Sequence, residues 1–169
     1  AMPAYGWITK GVIKEIPTNT ARKRINLNGA IDISDFDLVI REDPTLNAQS
    51  TIALFKQIEE KNPLAETIYA ITDNAPYYRS KLVKEYLQDS KIKILFLPSY
   101  SPNLNLIERL WKFFHKTVQY NQYYSTFDRF KEVSLNFFAN IKDHHQALRS
   151  LLTENFQIIG LNVSQSQFR

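Results

Sequence analysis

Non-polar residues recur at every second position in two neighbouring stretches near the start of the chain. In residues 22–33 one face of the pattern is polar, and the other consists of Ile25, Leu27, Gly29, Ile31 and Ile33. After the turn signal at residues 34–35, the alternation resumes at Phe36, Leu38 and Ile40. A period of two is typical of β-strands, and a turn between two such stretches predicts an antiparallel hairpin.

The spacing then becomes helical. Residues 48–61 are predicted to form a helix that is capped by Asn47 and stopped by Pro63, with Ile52, Phe55 and Ile58 facing inward. Further helices are predicted over about 77–89 and about 104–119, from a capping box at residues 125–128 to about 141, and near residue 150. The inward positions of the first of these are predicted to include Tyr78, Leu82 and Tyr86.

Two short apolar runs are interleaved with these helices. Residues 67–72 predict a central strand covered on both faces, and residues 92–97 predict another strand, ended by Pro98. The order is hairpin, helix, strand, helix, strand, helix, helix. This order favours a single α/β domain with a mixed sheet flanked by helices.

Composition narrows the class of protein. The 169 residues are 44% apolar and 22% charged, which is typical of a globular domain with a real core. The chain has no Cys, which excludes disulfides and thiolate zinc sites, and no apolar run long enough for a membrane helix. A net charge of +4 only weakly favours an anionic partner.

Two carboxylates carry the candidate chemistry. Asp73 closes the apolar run at 67–72, and Glu108 follows it after the 34 residues 74–107. A carboxylate at the end of a parallel strand and another on the helix after the next strand can meet at one edge of a sheet. Two carboxylates there would be hard ligands for Mg²⁺ or Mn²⁺, and two such ions can clamp a phosphodiester.

Simpler roles remain open for both acids. Asp73 can cap the helix that follows it, which is the favoured interpretation if Asp73 is taken alone. Glu108 can pair with Lys112 at i+4, a weak surface contact. The metal role is the hypothesis that accounts for the two acids together.

Several phrases resemble the catalytic domain of mariner-superfamily DDE transposases, and more closely its bacterial insertion-sequence branch. The phrases are Ile-Thr-Asp-Asn-Ala at 71–75, Leu-Pro-Ser-Tyr-Ser-Pro at 97–102 and Leu-Asn-Leu-Ile-Glu-Arg-Leu-Trp-Lys at 104–112. The lead-in at residues 5–11 also looks familial, and the 34-residue gap (residues 74–107) is the family's own spacing. The resemblance covers most of residues 5–116.

The resemblance implies a ribonuclease H-like fold in which two Asp and one further acid hold two Mg²⁺ ions. Asp73 would be the second acid and Glu108 the third. The implied partner is double-stranded DNA, cut at transposon ends and joined to a target, in the bacterial cytoplasm at the nucleoid. Two departures from the family pattern, Asn103 for Asp and Leu106 for Pro, lie near the helix start and are expected to leave the ligands intact.

The resemblance implies that the strand carrying the family's first Asp lies upstream of residue 5, and we expect it to be missing from this sequence. We therefore expect a downstream transposase fragment, with its domain over residues 1–160 and a loose tail at 161–169, that is inactive by itself. The missing strand would leave edges unpaired, which predicts a homo-oligomer. An alternative is a non-catalytic DNA-binding or oligomerisation module, and a less favoured one is a ribonuclease H-like nuclease of another family.

Candidate DNA contacts are mostly basic residues, each of which, taken alone, is more often a solvated charge. The candidates are Arg22, Lys23, Arg24, Asn74, Lys112, His115 and Lys116. Asn74 fits a turn equally well, and His115 is more often a histidine without a role. Trp7 can stack on a base or pack on the sheet, and packing is the favoured interpretation.

Overall fold

A computed structural model describes residues 4–13, 15–17, 23–98 and 104–152. Arg22, Asn103 and the predicted tail at 161–169 lie outside these residues, and the domain over 1–160 stays a prediction. The strands are β1 (Leu27–Ile31), β2 (Leu38–Glu42), β3 (Ile68–Thr72) and β4 (Ile92–Phe96). The α-helices are α1 (Ala48–Lys61), α2 (Lys81–Gln88), α3 (Leu106–Phe114), α4 (Phe127–Ala139) and α5 (His145–Leu151).

The predicted hairpin is confirmed. β1 and β2 pair antiparallel, with Leu27 opposite Glu42 and Ile31 opposite Leu38. The first strand ends earlier than predicted, because the Asp32 carboxylate accepts a hydrogen bond from the Ser34 backbone N–H (2.8 Å) and starts the turn. Ile33 therefore lies in the turn and is exposed, which corrects its predicted place on the inward face.

The second sheet is a parallel pair. β3 and β4 run in register from Ile68 opposite Ile92 to Thr72 opposite Phe96, so their carboxyl ends are level. The prediction that β3 is covered on both faces is wrong, because Tyr69 and Ile71 are 63% and 54% exposed. Helices pack on only one face of this pair in the described residues, and α3 instead packs against β1 and α5.

Two hydrophobic cores hold these layers together. The larger core lies among α3, α4 and α5, and the face of the hairpin that includes Leu27, Ile31 and Leu38 packs against it. The smaller core joins α1 and α2 to β3 and β4, and it also takes Ala30 and Val39 from the hairpin. Helix α1 thus packs on both sheets, although β1 and β3 are not hydrogen-bonded to each other.

Local capping explains the helix limits. The bounds of α1 match the prediction because Asn47 and Ser50 form a capping box, with Ser50 N–H donating to Asn47 Oδ1 at 3.0 Å. The next predicted helix is split into a 3₁₀ turn at Pro76–Arg79 and α2, whose cap is Ser80. This break changes the helical phase, so Leu82 is exposed instead of inward-facing.

Two further helix predictions need small changes. The predicted helix over 104–119 is α3 followed by one turn of π-helix at His115–Gln119. The predicted capping box at 125–128 is wrong by one residue, because Thr126 caps α4 and accepts a hydrogen bond from the Arg129 N–H at 3.2 Å. None of the helices in the described part of the chain has the length and apolar character needed to span a bilayer.

Glu59 joins α1 to α2 and to the turn before β4. Its carboxylate accepts hydrogen bonds from the Tyr86 hydroxyl, the Ser90 hydroxyl (2.7 Å) and the Lys91 backbone N–H (2.8 Å). Burial raises the pKa of Glu59, but these hydrogen bonds together outweigh burial and lower the pKa below its usual 4.5. Burial and then the hydrogen bond to Glu59 raise the pKa of Tyr86 to about 12.

We expect Glu59→Gln to lower the free energy of unfolding at neutral pH by about 1–3 kcal/mol, because it weakens three hydrogen bonds to a charged acceptor. A depressed folded-state pKa stabilises the fold above the unfolded pKa, and this contribution is lost as pH falls through the folded pKa. The difference in unfolding free energy between Glu59→Gln and the unchanged chain should therefore become smaller at acidic pH. Urea unfolding at neutral and acidic pH measures it, with exposed Glu60→Gln as the control. Equal losses in Glu59→Gln and Glu60→Gln would contradict a stabilising role for the hydrogen bonds to Glu59.

Candidate functional site

Asp73 lies directly after β3 and is exposed. Its Oδ1 accepts a hydrogen bond from the Ala75 backbone N–H at 3.0 Å, which forms a turn between β3 and the 3₁₀ helix. Asp73 does not cap α2, since Ser80 does so. Within the described residues its second oxygen accepts no hydrogen bond, so this carboxylate is available to a ligand.

Burial and the negative charge of Asp73 raise the pKa values of two nearby tyrosines. The rings of Tyr77 and Tyr78 lie 4.8 Å apart in the 3₁₀ helix that follows the turn. Burial raises the pKa of Tyr77, and the negative charge of Asp73 adds to this effect. The pKa of Tyr78 is raised further by burial, then by Tyr77 and Asp73. Both phenols therefore stay neutral beside the carboxylate at physiological pH.

Asn74 ties the ends of β3 and β4 together. Its Nδ2 donates to the Leu97 carbonyl oxygen at 2.7 Å, and its Oδ1 accepts from Arg79 Nη2 at 2.6 Å. The guanidinium carbon of Arg79 lies 4.2 Å from the centroid of the Phe96 ring. Asn74 thus has the structural role of a turn residue, and its contact with DNA stays a prediction.

Glu108 lies in the first turn of α3 and is half-buried. No ion pair with Lys112 is present among the described residues, so the structure does not support the i+4 alternative. Leu106 is the first residue of α3, where the family's Pro would also fit, so this departure leaves the helix start intact. Arg109 Nη1 donates to the Leu151 carbonyl oxygen (3.1 Å) and fixes α3 to the end of α5.

The carboxylates of Asp73 and Glu108 are chemically suited to bind a hard divalent cation, but two carboxylates do not make a complete ligand set. Asp73 follows the carboxyl end of β3, and the chain leaves the level carboxyl end of β4 on its way to α3 and Glu108. Carboxylate oxygens are the ligands that Mg²⁺ and Mn²⁺ prefer. The described ranges hold no group of three or more His, Asp or Glu side chains arranged to bind a metal. Two acids alone are a partial ligand set.

The predicted DNA-contact residues fall in separate places. Lys112 and Lys116 are exposed on α3 and on the π turn, respectively. His115 is half-buried, and its Nδ1 donates to Gln119 Oε1 at 2.8 Å. The Lys23 ammonium lies over the Phe127 ring at 5.7 Å, beside the start of α4, and Arg24 is exposed.

In the lead-in segment one prediction is wrong, and the structure shows one contact that was not predicted. Trp7 is 105% exposed, so the favoured packing of this ring on the sheet is wrong. The segment is held instead at Ala4, whose backbone N–H donates to Asn121 Oδ1 and whose carbonyl accepts from Asn121 Nδ2, both at 3.1 Å. Arg79 was also missed in the sequence, because its partners Asn74 and Phe96 come together only in the fold.

Solved structures show which fold this arrangement belongs to. The chain matches the Mos1 transposase paired-end complex with the left transposon end at a TM-score of 0.60 and 18% identity, over 92% of this chain and 53% of that one. It matches the Mos1 mariner paired-end complex with Mn at a TM-score of 0.62 and 19% identity, over 90% and 49%. These likenesses confirm the expected ribonuclease H-like α/β fold.

Sequence comparison identifies the family. The chain is 27% identical over 116 residues to the insertion element IS630 uncharacterized 39 kDa protein of Shigella sonnei, which is 68% of this chain but only 34% of that protein. The model of the DDE superfamily endonuclease family matches residues 1–131, which include Asp73, Glu108 and every other candidate contact. The chain therefore belongs to the DDE superfamily endonuclease family.

Proposed function

We propose that this chain is a transposase catalytic domain that acts on the phosphodiester bonds of double-stranded DNA at transposon ends and targets. The observation that carries the proposal is Asp73, which has an available carboxylate oxygen at the end of a parallel strand pair and lies within the matched family region. Solved relatives described as complexes with a transposon end and with Mn or Mg support DNA and a divalent cation as partners. The site of action would be the bacterial nucleoid.

Asp73 and Glu108 are the proposed metal ligands. When bound, Mg²⁺ or Mn²⁺ would polarise the phosphodiester and lower the pKa of an attacking water or 3′-hydroxyl. The turn at Ala75 and the bond from Asn74 to Leu97 hold Asp73 at the sheet edge. The proposed DNA contacts are Arg22, Lys23, Arg24, Asn74, Lys112, His115 and Lys116.

The described chain supplies two acids, and the family resemblance implies three. We therefore propose that the third carboxylate comes from outside the described residues and that the domain cuts DNA only when this carboxylate is supplied. The chain by itself would bind DNA without cutting it. A second candidate function, a non-catalytic DNA-binding or oligomerisation module, is favoured by the exposed side chains of Tyr69, Ile71 and Leu95. Their sheet face, and the edges of β1 and β3 that pair with no further strand in the described residues, also support the proposal of a homo-oligomer.

Metal-linked DNA binding separates the two functions. We expect Mn²⁺ to tighten binding of a DNA duplex to the unchanged chain, relative to binding in chelator, and Asp73→Asn to remove this gain. Asp89→Asn at the exposed end of α2 is the control and should retain it. A gel-shift titration measures affinity, and a nicking assay run beside it measures cleavage.

Each outcome bears on the proposal. Binding that is equally tight with and without Mn²⁺ would favour the module and contradict the metal role. Cleavage by the unchanged chain that disappears in Asp73→Asn would support the enzyme but contradict the proposed need for a third carboxylate from elsewhere.

A further inference from the structure

Arg79 is an exposed cation that the fold holds in place. Its Nη2 donates to Asn74 Oδ1 at 2.6 Å, and its guanidinium carbon lies over the Phe96 ring at 4.2 Å. An exposed Arg normally loses rotamer freedom when it binds a ligand. Here two contacts from different elements have already restricted the side chain, so less freedom remains to be lost.

The guanidinium is restrained but not neutralised. Only one of its five N–H donors is used by a contact within the described residues, and none of the ion pairs described there includes Arg79. Phe96 is itself 39% exposed, so the cation and its platform both face solvent. A guanidinium with free donors suits two oxygens of a phosphate group, which it can bind in a bidentate manner.

The position of Arg79 is coupled to that of Asp73. Asn74, which receives the Arg79 hydrogen bond, is the next residue after Asp73 and is tied to Leu97 at the end of β4. The cation is therefore attached to the same turn as the carboxylate. An anion bound to this cation would lie beside the end of β3, where Asp73 is available.

We propose that Arg79 is a positioning residue that binds a backbone phosphate of DNA beside Asp73. This inference deepens the proposed function and rests on it, since it names the group that holds the DNA strand at the turn of the proposed metal ligand. Because phosphate contacts carry no sequence information, the contribution of Arg79 is the same for any duplex sequence.

The salt dependence of DNA binding tests the inference with a short duplex of arbitrary sequence. Arg79→Gln should weaken binding about tenfold at moderate salt, as expected for one hydrogen-bonded charge. The slope of log affinity against log salt should fall by about 1, because one phosphate contact is lost. The control is Arg129→Gln, an exposed Arg paired with Glu132, which should leave the slope unchanged.

Two further variants separate phosphate binding from a structural role. Arg79→Lys should retain the slope but recover only part of the affinity. Lysine keeps the positive charge but lacks the planar guanidinium that can bind two phosphate oxygens at once. Phe96→Leu should also retain the slope and weaken binding, because it leaves Arg79 without its platform.

The failures are distinguishable. A purely structural Arg79 would lower thermal stability in Arg79→Gln but leave the salt slope unchanged, and that result would overturn the inference. If the unchanged chain binds no duplex at any salt concentration, the proposed function is overturned together with it.

Discussion

Phe55→Ala is expected to lower the free energy of unfolding by about 3–5 kcal/mol, as for other large core truncations. Phe55 is only 2% exposed in the smaller core, and its ring stacks with Tyr78 and Tyr86, each at 6.4 Å between centroids. Phe55 lies in α1, so the substitution removes contacts from this helix to α2 and to the 3₁₀ turn together. It should therefore also loosen the turn at Asp73, which leads into the 3₁₀ helix that contains Tyr78.

Urea unfolding measures this loss. The control is Lys56→Ala, an exposed neighbour in the same helix whose truncation should change stability by less than about 0.5 kcal/mol. Phe55→Leu should fall between the two, since it fills part of the cavity. A loss below about 1 kcal/mol in Phe55→Ala would contradict the packing of this core.

Asp73→Asn and Glu108→Gln are each expected to weaken Mn²⁺ binding at least about tenfold, because each replaces a charged oxygen ligand with a neutral amide. Asp73→Asn is the more specific of these two substitutions. Its side-chain oxygen can still accept the 3.0 Å hydrogen bond from Ala75, so the turn should persist while the charge is lost. Calorimetric titration of the two single variants and the double variant measures the effect.

The double variant tests whether the two acids share an ion. If they do, the second substitution should add little once the first has been made, which is the non-additivity expected of residues that act as a unit. Asp89→Asn should bind Mn²⁺ like the unchanged chain. Losses that add fully, or no loss in either single variant, would contradict a shared site.

The elements that could be predicted are those whose limits are set by local chemistry. Asn47 with Ser50 and the Asn62-Pro63 stop determine α1, and alternation with a turn at Asp32 determines the hairpin. The predictions that were wrong concern elements that depend on distant packing or on a competing cap. The cap at Ser80 interrupts the predicted helix and leaves Leu82 exposed, and the apolar run of β3 does not show which face a helix will cover.

The site follows the same division. Asp73 and Glu108 could be proposed because each ends or begins an element with a recognisable pattern, and because the surrounding phrases resemble a family. Arg79 could not, since its significance comes from Phe96, which is 17 residues further along the chain and reaches it only through the parallel pairing of β3 and β4. The same limit applies to Trp7, since nothing in the local sequence distinguishes an aromatic ring that packs from one that is exposed.

We propose that Asp73 and Glu108 are ligands of one divalent cation site. A Mn²⁺ soak of crystals of this chain, read by anomalous scattering, tests it most directly. We expect an anomalous peak between the two carboxylates, with a remaining coordination position open to the third acid. Two carboxylates splayed apart with no peak between them would contradict the metal role and favour the DNA-binding module.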